Sequence, residues 1–369
     1  MSGRRWSMWL APPVAVLAVA LVLSRFQAGA EAGGKSTPPP AGACAESPLS
    51  RDAAGSPRRD VGPGSWWKLT ERLDDNGAMS GRQLAVGRAG STTLLLDLAT
   101  ETAASGPIGG VVLVATDDGR RSEIRLVSSV QACSWLLDES EDVVRGAILD
   151  PADGSVLAHL VDRETRVDLG TWRFGADVAL AEPAMVAPAL PLGVLDGPVW
   201  TTDLRLDAAG HMLAVQSCTN SGCLTRLFDL RLPANGARVL GGDQGSLLGF
   251  AGRSVLTWAA CSGFPCTVLS WDIATTKANV VMDRADAAAV TADGRYVVAS
   301  TDARGGRALR LDLATGARAL IKGINADELL LPGGAAATSG AQLAPDEIGV
   351  AAPGANPRSF RPAAAEVIP

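Results

Sequence analysis

Hydrophobic and polar positions alternate along much of the chain after residue 65. Leu94, Leu96 and Leu98 flank Leu95 and Asp97, Leu309, Leu311 and Leu313 flank Arg310 and Asp312, and Leu269, Trp271 and Ile273 flank Ser270 and Asp272. Arg226, Phe228 and Leu230 around Leu227 and Asp229 make a fourth copy. A period of two predicts strands with one buried face. The recurring aspartate stands one residue before the strand end, where its carboxylate can accept N–H bonds from the following turn. Four copies of one aspartate argue for turn formation rather than catalysis. A glycine recurs ahead of another apolar strand: Gly154 before 156–160, Gly210 before 212–215, Gly252 before 255–258 and Gly294 before 296–299. Glycine there supplies the positive φ of a tight hairpin turn.

These signals repeat in register. Cys218 and Cys261 are 43 residues apart, as are Cys223 and Cys266, and Asp229 and Asp272; Gly210, Gly252 and Gly294 are spaced by 42. Strand-rich self-similarity at about 40–45 residues is the mark of a propeller blade. The expected fold is therefore all-β, a β-propeller over residues 59–350. At about 42 residues per repeat that span holds seven four-stranded blades. Residues 106–195 carry the period weakly, although 111–114, 124–126 and 156–160 read as strands. The Pro/Ala-rich connection at 179–198 is longer than a blade needs, and such loops are either inserted linkers or binding elements. Residues 351–369, with four prolines and no period, are expected to form a tail.

The phrases Thr291-Ala292-Asp293-Gly294, Trp271-Asp272 and Leu311-Asp312-Leu313-Ala314-Thr315-Gly316 resemble the blades of exported WD-repeat-like and TolB-like propellers. The resemblance covers residues 199–323 well and the rest loosely. It implies a binding scaffold and transfers no functional residue.

The N-terminus reads as an export signal over residues 1–30. Arg4 and Arg5 precede an apolar run at 8–23, and Ala28-Gly29-Ala30 offers a small-residue cleavage site. The run is short for a bilayer span, which takes about 20 residues. An uncleaved membrane anchor is the rival reading. Residues 31–58 are Pro-, Gly-, Ala- and Ser-rich and read as a disordered linker. Within this region 29–36 spells a phosphate-loop pattern, but a signal precedes it and Pro38-Pro39-Pro40 follows, so no helix can present its N–H groups.

Export makes the six cysteines informative, because oxidising compartments favour disulfides. Cys218/Cys223 and Cys261/Cys266 each flank four turn-like residues, as a bridge across a hairpin end would require. Cys44 and Cys133 remain, and parity points to a third, long-range bridge. Metal binding by the paired cysteines is disfavoured because the pairs fall on neighbouring blades.

The net charge of −6 gives no basis for nucleic-acid binding. The two histidines, His159 in a strand and His211 after a turn glycine, have no partner assigned by spacing. Acidic clusters at Asp74-Asp75, Asp117-Asp118 and 138–142 read as solvated loop charges, with a cation at the central opening as the alternative. No catalytic, cofactor-binding or metal-ligating residue is assigned, and no cofactor is expected. Packing accounts for most tryptophans. The adjacent pair Trp66 and Trp67 is the candidate binding surface, because neighbouring strand residues face opposite ways and one ring can reach solvent. The expected function is a secreted or extracytoplasmic, non-enzymatic scaffold that recognises an envelope or extracellular protein or polymer through propeller loops. It would touch the membrane only if the leader is retained. The alternative is an exported propeller enzyme, either a cation-dependent hydrolase or lactonase or a quinoprotein-like dehydrogenase.

Overall fold

A computed structural model describes residues 42–45, 47–49 and 64–368, apart from short stretches at 89–90, 100, 109, 151–152, 176–182, 192–193, 233–235, 241–244, 260–265, 301–307, 325–327 and 332–336. The leader, the phosphate-loop-like segment and Cys261 lie outside the described residues. Among those described, the strands form seven sheets, the blades of a β-propeller: four of four strands, two of five and one of three.

Blade 4 shows the unit most plainly. Its inner strand Thr201–Leu206 turns through Gly210 into Met212–Thr219, which pairs with Gly222–Asp229 and then with the outer Arg238–Val239. Blade 5 (Ser246–Ala251, Ser254–Ala259, Cys266–Asp272, Ala278–Ala285) and blade 6 (Ala287–Val290, Tyr296–Ser300, Ala308–Asp312, Arg318–Ile321) repeat it. The turn glycines carry the positive φ their spacing implied, 68° at Gly210 and 68° at Gly294. The aspartates cap the following turns. Asp272 Oδ1 accepts the Thr275 N–H at 2.7 Å, and Asp312 Oδ1 accepts those of Ala314 at 2.9 Å and Thr315 at 3.2 Å. Asp97 departs from the pattern. It lies in the outer strand Ser91–Leu98 of blade 1 and pairs with Arg72 at 3.0 Å and Gln83 at 3.1 Å.

The weakly periodic region is regular in the structure. Blade 2 comprises Glu101–Ile108, Val111–Asp117, Ser122–Ser128 and Cys133–Ser140, and blade 3 Val143–Leu149, Val156–Val161, Asp168–Phe174 and Ala184–Ala187. Their second strands are buried on both faces, which hides the period of two. Val111, Leu113 and Ala115 pack towards blade 3, whereas Val112 and Val114 pack towards blade 1. Six apolar clusters of this kind join successive blades from 1 to 7. The core is therefore distributed between blades.

Both ends of the described chain are built into the ring. Gly42–Ala43 pairs in parallel with the outer strand of blade 2, Leu49 enters the apolar cluster of blades 2 and 3, and Cys44 is bonded to Cys133. The C-terminal stretch does not trail away as a tail. Arg358–Phe360 is the third strand of blade 7, beside Leu329–Leu331 and Ile348–Ala351, and Val367–Ile368 adds to the outer edge of blade 6. These segments are too short to show a period, and the ordering comes from unsatisfied strand edges that accept them. Ser339–Ala341 completes blade 1 from inside by pairing with Ser65–Leu73, whose other edge meets Met79–Arg88. The ring closes there.

Candidate functional site

The inner strands all run the same way through the ring, which gives the propeller two distinct faces. The lower face carries the turns from inner to second strand, the upper face the second-to-third hairpins and the connections between blades.

Neither tryptophan of the expected binding pair reaches either face. Trp66 is 3% and Trp67 1% exposed. The expectation assumed a strand with one free face, but each blade is covered on both sides by its neighbours. Trp67 Nε1 donates to the Gly106 carbonyl of blade 2 at 2.7 Å, and the Trp66 ring lies where a side chain on Gly87 would stand.

Among the described residues the exposed large aromatic is Trp200, at 47%. It ends the connection between blades 3 and 4, on the upper face, with Val194 on the same connection and Val167 in the adjacent hairpin turn, both also exposed. Three bonds fix the last part of this connection. Val199 N–H donates to Arg166 O at 3.3 Å, Trp200 N–H to Cys218 O at 3.0 Å, and Ser221 Oγ–H to Asp196 O at 3.2 Å. The Cys218–Cys223 disulfide crosses the hairpin that holds the last two, with a Cα–Cα distance of 4.0 Å. Cys266 is likewise disulfide-bonded.

Beneath this loop lies a buried polar cluster. Arg226, on the third strand of blade 4, donates from Nη2 to Asp168 Oδ2 at 2.9 Å and from Nη1 to Pro188 O at 2.7 Å. Asp168 also accepts the N–H groups of Gly170 at 2.6 Å and Leu190 at 3.0 Å. His159, fully buried on the second strand of blade 3, stands with Nε2 3.3 Å from Asp168 Oδ1, too far off line for a hydrogen bond. Keeping the proton on Nε2 avoids setting a lone pair against the carboxylate, so Nδ1 accepts from the Thr171 hydroxyl at 3.0 Å. Burial holds the imidazole pKa down to about 4; the Asp168 charge opposes this and Arg226 adds to it. The histidine is a neutral structural group there. Thr171 and Asp168 stand on the neighbouring third strand of blade 3 and Arg226 on the third strand of blade 4, so nothing in the residues flanking His159 names them.

Asp74, Asp117 and Asp118 of the acidic clusters are engaged by neighbouring groups. Asp117 forms a two-pronged pair with Arg163 of blade 3 at 3.0 Å in each arm, and burial, which raises its pKa, is outweighed by the Arg163, Ser122 and Gly119 hydrogen bonds, which lower it. Asp74 and Asp118 accept backbone N–H groups of their own turns. Among the described residues no group of three or more His, Cys, Asp or Glu is placed to hold a metal ion.

No protein-family model and no curated protein sequence matches the chain. Among solved structures it is similar to a prolyl endopeptidase at a TM-score of 0.54 and 15% identity, over 85% of this chain and 49% of that one. It thus spans about half the length of that enzyme. It is also similar to TolB from Acinetobacter baumannii, with a TM-score of 0.41 and 10% identity over 82% of this chain and 81% of that one. For a TolB-type protein from Agrobacterium tumefaciens the TM-score is 0.43 and the identity 11%, over 84% and 100%. At these identities the likeness concerns the fold, and that fold is the β-propeller.

Proposed function

We propose that this protein is an extracytoplasmic, non-enzymatic binding scaffold that recognises an envelope protein or polymer through the upper-face loops of blades 3 and 4. The observation that carries the reading is Trp200, a large ring left in solvent on a connection fixed from both sides. Aromatic side chains supply contact area at low entropic cost, and prior fixation of the loop lowers the ordering cost of binding. Two disulfides support an oxidising compartment, where such bonds persist.

The test is photo-crosslinking in the native envelope, with a crosslinker placed at Val194 in a wild-type and a Trp200→Ala background. A discrete adduct in the first, reduced at least tenfold in the second at unchanged melting temperature, is the expected result. Equal adducts in both backgrounds would remove Trp200 from any binding role.

A further inference from the structure

Three segments of the upper face lie side by side next to Trp200. They are the connection from blade 2 to blade 3 at 141–142, the blade 3 hairpin turn at 162–167 and the end of the following connection at 194–200. Arg163 Nε donates to Glu141 O at 2.7 Å and joins the first to the second. The bond from Val199 N–H to Arg166 O joins the second to the third. The exposed apolar side chains of this continuous surface are Val167, Val194 and Trp200.

The same segments carry five carboxylates, Glu141, Asp142, Asp162, Glu164 and Asp196, and two arginines, Arg163 and Arg166. Asp117 of blade 2 already takes Arg163 in its two-pronged pair. Among the described residues none of the five carboxylates forms a salt bridge. Glu141, Glu164 and Asp196 are exposed, whereas Asp142 and Asp162 are half-buried. Asp142 registers the crowding. Burial raises its pKa, the neighbouring Asp162 and Glu141 charges raise it further, and Arg163 opposes them without cancelling the rise. The exposed apolar residues are therefore bordered by negative charge that the protein itself leaves unmatched.

We propose that this surface recognises a basic polypeptide segment of its partner, one bearing lysine or arginine. The inference rests on the upper-face reading and names the chemistry of the partner. Lysine and arginine carry an aliphatic stem as well as a cationic head. The stem suits Val167 and Val194, the head suits the carboxylates, and a cation over the Trp200 indole gains a cation–π contact. One type of side chain thus answers both the apolar and the acidic part of the surface. An anionic polymer is repelled by the same charges, and a purely apolar segment leaves the carboxylates unmatched.

The experiment is a fluorescence-anisotropy titration of labelled hexa-arginine with the full chain, with hexa-glutamate as the oppositely charged counterpart. The expected result is saturable 1:1 binding of hexa-arginine that weakens with added salt, and no binding of hexa-glutamate. Glu164→Gln/Asp196→Asn lowers the affinity about fivefold, within what two exposed charge contacts supply. Asp196 serves its loop through the backbone carbonyl that accepts from Ser221, which this substitution keeps. Trp200→Ala lowers the affinity about threefold, the size of one exposed cation–π contact. Glu71→Gln/Asp75→Asn removes two exposed carboxylates of blade 1, changes the net charge equally and leaves the affinity unchanged. Absence of saturable hexa-arginine binding, equal weakening by the blade 1 pair, binding untouched by both upper-face variants, or hexa-glutamate binding as tightly would each overturn the proposal. Such a failure with the Val194 adduct retained leaves the upper-face reading in place, whereas loss of both removes both.

Discussion

At the scale of single residues, the cluster beneath the upper loop shows how a buried polar group is made tolerable. A buried ion pair contributes little net stability when complete, but leaving one member alone costs about 3–5 kcal/mol. Asp168 and Arg226 satisfy each other and also hold the Leu190 N–H and the Pro188 carbonyl, so the pair fixes the loop as well as the blades. His159 makes this region sensitive to acid. Its folded pKa is about 4, against about 6.5 when unfolded, so between those values the unfolded chain takes up a proton that the folded one refuses. Stability should therefore fall as pH drops from 6.5 to 4, by on the order of 3 kcal/mol, and this contribution should be flat outside that window. Blade 4 supplies the control. Its second strand carries Gln216, whose Nε2 donates to Thr225 on the third strand at 3.0 Å, as His159 faces Thr171 in blade 3. His159→Gln should fold and lose this part of the acid slope in urea titrations run from pH 7.5 to 4. An unchanged slope would assign the acid sensitivity to the carboxylates.

At the scale of elements, the Cys218–Cys223 and Cys44–Cys133 disulfides differ in what they constrain. The Cys218–Cys223 bridge closes a five-residue separation and fixes a turn; Cys44–Cys133 closes 89 residues and ties a strand to the edge of blade 2. In the chain-entropy model these are worth roughly 2 and 4–5 kcal/mol. The double variant Cys44→Ser/Cys133→Ser should lose more stability in chemical denaturation than Cys218→Ser/Cys223→Ser. The reverse order would mean that the short bridge holds more than its own turn. Both pairings were legible in the sequence, one from its spacing and the other from parity. So were the turn glycines and the aspartates capping the turns in blades 5 and 6, because each is a local rule, and the blade repeat, because those local signals recur every 42 or 43 residues. What escaped was set by contacts between blades. Trp66 and Trp67 look half-exposed in a lone strand and are buried because blade faces are covered on both sides. Trp200 has no local mark that separates it from the packed tryptophans, since its exposure depends on where the loop leaves blade 3. Residues 358–368 lack a period because they fill edges of other sheets, which no alternation within the segment could announce.

At the scale of the whole molecule, the ring depends on a return of the chain to its beginning. Ser339–Ala341 is the inner strand of blade 1, supplied more than 260 residues after its partner. Closure of this kind removes the exposed edge that an open sheet array would present. The contact is close-fitting: Gly340 faces Trp67, and a Cβ there would lie 2.5 Å from Trp67 Nε1 and 2.7 Å from Gly106 O. Those two atoms are the donor and acceptor of the bond joining blade 1 to blade 2, so one added methyl strikes the closing strand, the blade it completes and the next blade together. Neither neighbour can give way cheaply, since one is a buried indole and the other backbone. Gly340→Ala should thus cost about 1–3 kcal/mol, the range for overpacking a core, and the loss should fall on closure. Hydrogen exchange should then rise first in the strands around residues 65–88 and 339–341, ahead of blades 4 and 5. Trp67→Phe in the same background removes the indole N–H that the methyl meets, and should recover part of the loss. Uniform acceleration across all blades, with no recovery by Trp67→Phe, would show that the ring unfolds as one unit and that this contact is not where it opens.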